Sequence, residues 1–307
     1  MRIAILIPCF NEETAIEKVV CDFRLALPEA KIFVYDNNST DRTAEKAAAA
    51  GSEVRRHRIQ GKGHVVRRMF ADVEAEIYVL VDGDDTYDAT AAPKLIQLLV
   101  EGQLDFVNAA RVALDDRAYR RGHRFGNAAL TGLVRLIFGR EFNDLLSGYK
   151  VLSRRFVKTF PATSTGFEIE TELAVHSLEL DLPSAEWPVE YRERPPGSFS
   201  KLSTVSDGLK ILILILRLVK DERPFFFFGW IGLLTAAIGI FLGVPVIAEY
   251  LNTGLVPRFP TAILAVGLVI LGSISVVTGT ILDVVTKTRR EMKRLAYLSI
   301  PLVSTAD

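Results

Sequence analysis

Two stretches near the C-terminus, Phe225 to Ala248 and Phe259 to Leu282, contain no charged residue. Each is long enough to cross about 30 Å of hydrocarbon as a helix. Soluble core helices of that length rarely lack charge altogether, so the pair predicts a membrane hairpin joined by a short turn. Its flanks agree: Lys210, Arg217, Lys220 and Arg223 precede the first span, Lys287, Arg289, Arg290, Lys293 and Arg294 follow the second, and the connection carries only Glu249 and Arg258. Positive charge collects on the cytoplasmic side, which predicts both termini there in a multi-pass inner (plasma) membrane protein. Phe225 to Phe228 with Trp230 supplies an aromatic anchor at the interface. From Asp207 to Asp221 apolar residues dominate, while Asp207, Lys210, Arg217, Lys220 and Asp221 share one face, the pattern of a helix lying in the membrane plane.

The residues before the hairpin suffice for one sizeable α/β domain. Of 307 residues, 37 are basic and 37 acidic, so net charge selects no partner. The basic run after the second span is juxtamembrane in character, and no nucleic-acid ligand is expected. Cys9 and Cys21 make neither a zinc site nor a disulfide framework and read as small core residues of a reducing compartment. The four histidines show no ligand spacing. The start of the sequence lacks the features of a signal peptide, which predicts a cytosolic domain. The expected division is a catalytic domain over 1–202, an interfacial helix over 203–223, a transmembrane hairpin over 224–285 and a basic tail over 286–307.

Within 1–202, short apolar runs at Ile3 to Ile7, Ile32 to Tyr35 and Ile77 to Val81 read as buried strands, alternating with helical patterns at Asn11 to Leu27, Thr43 to Ala50 and Ala91 to Glu101. That alternation predicts parallel βαβ units, a Rossmann-like sheet whose ligands collect at the carboxyl ends of its strands. Further on, helices are expected over Asn127 to Phe138 and Glu168 to Leu180, and strands over Ser147 to Leu152 and Val189 to Arg192. At the end of the third apolar run lies an acidic box, Asp82-Gly-Asp84, followed by Asp85-Thr-Tyr-Asp88. Two carboxylates around a residue without a side chain can hold Mg²⁺ or Mn²⁺ and leave positions open for a diphosphate. The competing reading is an acidic turn capping the next helix.

Six motifs in order carry a family resemblance: Ile7-Pro-Cys-Phe-Asn-Glu12, Asp36-Asn-Asn-Ser-Thr-Asp41, Gly61-Lys-Gly63, Asp82-Gly-Asp84, Asp144-Leu-Leu-Ser-Gly-Tyr149 and Glu186-Trp-Pro-Val-Glu-Tyr191. Residues 2 to 222 resemble family 2 glycosyltransferases, in particular the polyprenyl-phosphate group of dolichol-phosphate mannose synthase and GtrB-like enzymes, and the two spans match the GtrB-like arrangement. The resemblance implies a GT-A fold and inverting transfer of one sugar from a nucleotide sugar to a polyprenyl phosphate such as undecaprenyl phosphate, for cell-envelope glycans. UDP-glucose and UDP-N-acetylglucosamine lead as donors, with GDP-mannose behind; a homo-oligomer is compatible with the chain. A processive synthase would need more spans and a Gln-x-x-Arg-Trp-type motif, and a degenerate scaffold would be expected to lose its acidic box.

The resemblance also implies site roles. Pro8, Phe10, Glu12, Asp36, Lys62, Asp82 and Gly83 fall to the nucleotide sugar, and Asp82 with Asp84 to the metal. Asn37 stands where relatives often have aspartate, which weakens any carry-over of base specificity. Arg111, Arg194, Ser200 and Lys201 form the cationic complement for the acceptor's phosphate, joined by Arg124, which competes with Arg120 for one family position. Asp144 matches the position proposed as catalytic base. A phosphate monoester has its second pKa near 6 and is already largely ionised, so Asp144 is expected to orient the acceptor or a basic residue.

Overall fold

The computed structural model describes residues 1–113, 131, 132, 134, 142–195, 213 and 216–302. Two compact units emerge: Met1–Ile211 with Lys293–Asp307, and Leu212–Met292.

The first unit is built on seven strands, β1 (Ile3–Cys9), β2 (Lys31–Asp36), β3 (Glu53–Arg56), β4 (Ile77–Leu80), β5 (Phe106–Ala113), β6 (Lys150–Ser153) and β7 (Ser184–Tyr191). They lie side by side in the order β3-β2-β1-β4-β6-β5-β7. β1 to β4 are mutually parallel, β6 is antiparallel to both β4 and β5, and β7 is parallel to β5. The central strands read as unbroken apolar runs because helices cover them: all four residues of β4 are buried, and Ile5, Ile7, Val34, Val79 and Val107 share a core with Ile16, Val20 and Phe23 of α1 (Ile16–Ala26).

This is the doubly wound α/β sheet expected. Some elements the apolar pattern had not revealed. β3 alternates Glu53, Val54, Arg55 and Arg56 at the sheet edge, so it lacks the apolar run of a buried strand. α3 (Lys62–Asp72) begins inside the Gly-Lys-Gly segment, a stretch to which the apolar pattern assigned no element. β1 extends through Pro8, and β7 begins at Ser184. Cys9 is buried as expected, but Cys21 is exposed, because α1 turns it outward beside Asp22 while its neighbour Val20 faces the core. α2 (Thr43–Ala49) and α4 (Ala92–Glu101) lie where the sequence placed them. The helix expected over Asn127 to Phe138 falls almost wholly outside the described residues.

Antiparallel β6 has a consequence for the site. Because it runs against β4 and β5, the segment leading into it, 142–149, lies at the same rim as the carboxyl ends of those strands. After β6 follow α5 (Arg154–Thr159) and α6 (Ile169–Glu179). α6 buries nearly its whole circumference, including Glu170 and His176.

His176 makes a prediction. Its ring stands edge-on to Phe156 at 5.2 Å and near Phe160 at 5.4 Å, with Nε2 3.3 Å from Thr159 Oγ1 and no partner for Nδ1. Burial, reinforced by the charge of Lys293, pushes its pKa from 6.5 down to about 3. The unfolded chain therefore binds this proton first, so stability is full above pH 6.5 and declines as pH falls toward 3. At pH 5 the loss is about 2 kcal/mol. His176→Leu should remove that loss, measured as thermal unfolding in detergent at pH 7 and pH 5; the same acid sensitivity in both proteins would refute it.

The second unit contains α7 (Pro224–Thr253) and α8 (Phe259–Leu298), both long and apolar enough to cross a membrane. In each apolar window 17% is buried, far from the mostly buried state of a soluble core helix. α7 and α8 meet through small residues seven apart, Gly232 against Gly272 and Gly239 against Ala265, with Gly279 of α8 against Phe225 and Phe228. A Cβ on Gly232 would lie 2.6 Å from the Gly272 carbonyl oxygen, so the two backbones approach as only glycine permits. Of the helix expected over 203–223, residues 213 and 216–222 are described and are helical. The end of α8 belongs to the first unit, where Lys293 pairs with Glu179 at 2.6 Å and the Tyr297 hydroxyl donates to Asp105 at 2.7 Å.

Candidate active site

The strand order reverses between β1 and β4, since β2 lies on the far side of β1, and such a switch point leaves a crevice at the carboxyl ends. A cleft of about 280 Å³ opens there, lined by Pro8 at the end of β1, Phe10 and Glu12 after it, Asn37 after β2, Lys62 at the start of α3, Asp82 to Asp84 after β4, and Phe167 and Arg194.

The loops around it are stitched to one another. Asn11 adopts φ 52° and accepts from the Thr40 amide at 2.8 Å through its side chain, while its own amide donates to Ser39 Oγ at 2.9 Å. Asp36 is buried, accepts from the Ser39 amide at 3.1 Å and faces Arg56 at 3.8 Å, but it is not among the residues lining the cleft. Its neighbour Asn37 is: the amide donates to the carbonyls of His57 and Ile59 at 3.0 and 2.7 Å, and its oxygen accepts from the Gly61 amide at 2.8 Å. Two donations and one acceptance are what an aspartate cannot supply, so the asparagine fixes the loop that presents Lys62.

Asp82 and Asp84 are held close together in a poorly hydrated place. Burial, then the nearby Asp82 charge, raises the Asp84 pKa; Arg194, 2.6 Å away, and the Thr86 hydroxyl at 2.6 Å oppose the rise. Arg194 also faces Glu12 at 3.6 Å, which brings it among the residues assigned to the donor. Lys62, its side chain largely covered, reaches both Asp82 and Glu170. Burial alone would lower its pKa, but the charges of Asp82 and Glu170 raise it well above the lysine range. Gly83 sits where a Cβ would come within 2.5 Å of Cys9 Sγ, and one on Gly148 would lie 2.1 Å from Asp82 Oδ2. The acidic box therefore packs directly on the segment carrying Asp144.

A metal has a coherent donor set here. Among the described residues no group of three or more His, Cys, Asp or Glu side chains is arranged for a metal. Two hard carboxylates, with further positions left to water and substrate phosphate, suit Mg²⁺ or Mn²⁺. The acidic pair, Asp84 buried and Asp82 partly exposed to the cleft, is partly balanced by Lys62 and Arg194 and is the place where such a charge fits.

Beside the cleft lies a second cluster. Arg111, inside β5 and near its end, donates from Nε to Asp144 Oδ2 at 2.7 Å and from Nη2 to Oδ1 at 2.8 Å, and its backbone amide donates to Oδ2 at 3.1 Å. Burial pushes the Asp144 carboxyl up, but this fork outweighs it and holds the pKa below the usual aspartate value. Arg124, Ser200 and Lys201 lie outside the described residues. Sequence reasoning missed Glu170, which in Glu168-Ile-Glu-Thr-Glu172 is one of three alternating acids that nothing in the sequence sets apart.

The comparisons agree with this geometry. An archaeal relative, glycosyltransferase AglJ of Haloferax volcanii, is 32% identical over 298 residues, covering 96% of this chain and 98% of its own. Dolichyl-phosphate hexose transferase of the same organism is 29% identical over 223 residues, 72% of this chain and 95% of its own. Among solved structures, Mycobacterium tuberculosis glucosyl-3-phosphoglycerate synthase matches with a TM-score of 0.57 at 23% identity, over 71% of this chain and 80% of that one. A complex of that enzyme with Mn²⁺, UDP-glucose and phosphoglyceric acid matches at 0.53. At this identity the likeness carries the fold, a GT-A sheet. A model of Glycosyl transferase family 2 matches residues 4–159, half of the chain. With the acidic box at the switch point and a relative similar along nearly its whole length, the chain belongs to glycosyl transferase family 2 and is a glycosyltransferase.

Proposed function

We propose that this enzyme transfers one hexose, with inversion, from a nucleotide sugar to a polyprenyl phosphate at the cytoplasmic face of the inner membrane. The observation that carries the reading is the packing of Asp82 against Gly148, which sets an acidic, cation-lined cleft beside a buried Arg–Asp fork in a chain with two membrane-length helices. The likeness to a dolichyl-phosphate hexose transferase supports the acceptor. UDP-glucose or UDP-N-acetylglucosamine is the proposed donor and GDP-mannose the alternative. Residues 1–202 form the catalytic domain, 203–223 the interfacial helix, 224–285 the hairpin and 286–307 the cytoplasmic tail.

In this reading Pro8, Phe10 and Glu12 receive the nucleoside, and Asp36, which does not line the cleft, holds the adjoining loop through the Ser39 amide. Lys62 and Arg194 face the diphosphate, and Arg111, fixed by Asp144, meets the incoming phosphate with Arg124, Ser200 and Lys201. A bound Mg²⁺ or Mn²⁺, held by Asp82 and Asp84, supplies charge stabilisation to the diphosphate. A phosphate oxygen of the lipid forms a bond to the anomeric carbon as the bond from that carbon to the diphosphate breaks, releasing the nucleoside diphosphate. No proton need leave the nucleophile, since the phosphate is already largely ionised at neutral pH. Asp144, kept ionised by Arg111, is then an orienting group.

Membrane vesicles test acceptor and topology together. Inside-out vesicles containing the enzyme and undecaprenyl phosphate should form lipid-phosphate-sugar from externally added UDP-sugar and Mg²⁺, and sealed right-side-out vesicles should not. Label in a soluble acceptor only would overturn the lipid reading, and equal activity in both orientations would overturn the topology.

A further inference from the structure

β6, β5 and β7 place three polar residues in direct register: Lys150 pairs with Asn108, and Asn108 pairs with Glu186. Three adjacent positions across neighbouring strands share one face of the sheet. Polar side chains in the middle of a sheet are costly unless each is satisfied, and Asn108 and Lys150 are both buried, Lys150 completely. Their hydrogen bonds show what they are for. Lys150 Nζ donates to Asn108 Oδ1 and to the Ser147 carbonyl, both at 2.8 Å. Asn108 Nδ2 donates to the Asp144 carbonyl at 2.7 Å and to Glu186 Oε1 at 2.8 Å. Glu186 Oε1 accepts from the Asp144 amide at 3.1 Å, and Oε2 accepts from the Asn143 amide at 2.8 Å and its side chain at 2.6 Å.

All three side chains thus end on one segment, 143–147, which presents Asp144. That segment is an irregular loop, whose backbone has no ladder of its own to hold it. The three strands supply the missing partners, and the chain of bonds runs without interruption from Lys150 through Asn108 to Glu186. Asp144 is gripped twice: its backbone by Asn108 and Glu186, its carboxylate by Arg111.

We infer that Lys150, Asn108 and Glu186 form a positioning frame that sets the Asp144–Arg111 pair for catalysis without touching substrate. The inference rests on the proposed role of that pair at the acceptor. Lys150 is unusual in this frame, since among the described residues its hydrogen-bond acceptors are an amide and a carbonyl, with no carboxylate in contact. Burial lowers its pKa from 10.5 to about 8; the charges of Glu170 and Asp144 oppose that fall, and those of Lys62 and Arg111 add to it.

Glu186→Gln is the informative variant. Glutamate offers two accepting oxygens to four donors, whereas glutamine must turn an NH₂ toward one pair of them, so the loop loses contacts while side-chain volume is kept. Turnover should fall about tenfold, with the Kd for UDP-sugar within twofold of wild type, because neither Glu186 nor residues 143–147 line the donor cleft. The decisive measurement is a double-mutant cycle with Asp144→Asn. If Glu186 acts through Asp144, the double variant should be no slower than Asp144→Asn alone. Multiplying losses would show that Glu186 affects folding generally and would overturn the frame, as would wild-type turnover in Glu186→Gln. Normal transfer by Asp144→Asn itself would instead defeat the acceptor reading on which the frame depends. Lys150→Met, read in the same cycle, gives an independent entry at the other end of the chain of bonds and should show the same non-additivity.

Discussion

Asp84→Asn is expected to lower sugar transfer by roughly a thousandfold while leaving the fold intact, since a divalent cation held by Asp82 and Asp84, as proposed, would contribute several kcal/mol to leaving-group stabilisation. The structure gives the loss a second component. Arg194 lies 2.6 Å from Asp84 and faces Glu12, so removing the charge also frees it to move toward Glu12 and distort the donor cleft. Stability should move the other way. Asp84 is buried beside Asp82 and its pKa is raised, so its ionised form is disfavoured in the fold, and a neutral isostere relieves that repulsion. The Tm of the detergent-solubilised variant without metal should equal or exceed wild type, a trade of stability against activity common at reactive sites. Turnover within tenfold of wild type, still requiring Mg²⁺ or Mn²⁺, would place the metal elsewhere.

The second large effect is expected at Arg111. Arg111→Lys keeps the charge and loses the fork that meets both oxygens of Asp144, and arginine and lysine are not interchangeable at bidentate sites. The ratio kcat/KM for polyprenyl phosphate should fall about a hundredfold, from roughly 3 kcal/mol of lost charge-assisted bonding and orientation. Nucleotide-sugar affinity should hold, because Arg111 is not among the residues lining the donor cleft. Acceptor titrations and calorimetry with UDP-sugar on one preparation separate the two. A parallel loss of donor affinity would assign Arg111 to the leaving diphosphate.

The sequence alone determined the parts of this protein whose physics is local. Phe225 to Ala248 and Phe259 to Leu282 are helical and apolar because an uncharged stretch of that length has few other stable states. The buried strands at Ile3, Ile32 and Ile77 were legible because a doubly covered strand must be a short apolar run, and a parallel sheet gathers ligands at its carboxyl ends. Hence the strand ends that carry Glu12 and Asp82-Gly-Asp84, which line the cleft, were legible before any contact was known, whereas Asp36, also at a strand end, lies outside that lining.

Tertiary structure decided what depends on strands remote in sequence becoming neighbours. That β6 enters antiparallel between β4 and β5 brings Asp144 to the rim and sets it against Arg111, and no periodicity within either segment encodes that direction. Arg194, from the loop after β7, lies against Glu12 and Asp84, residues far from it in sequence. Glu170, distant in sequence from Lys62, became its partner only because α6 packs against the start of α3. The row Lys150, Asn108 and Glu186 exists only through register: each is an unremarkable polar residue in its own strand, and only the alignment of three strands makes them one support beneath Asp144. Local preference selects helices and strands, but a buried charge is satisfied by whichever distant group the packing delivers, and that pairing is a property of the whole fold.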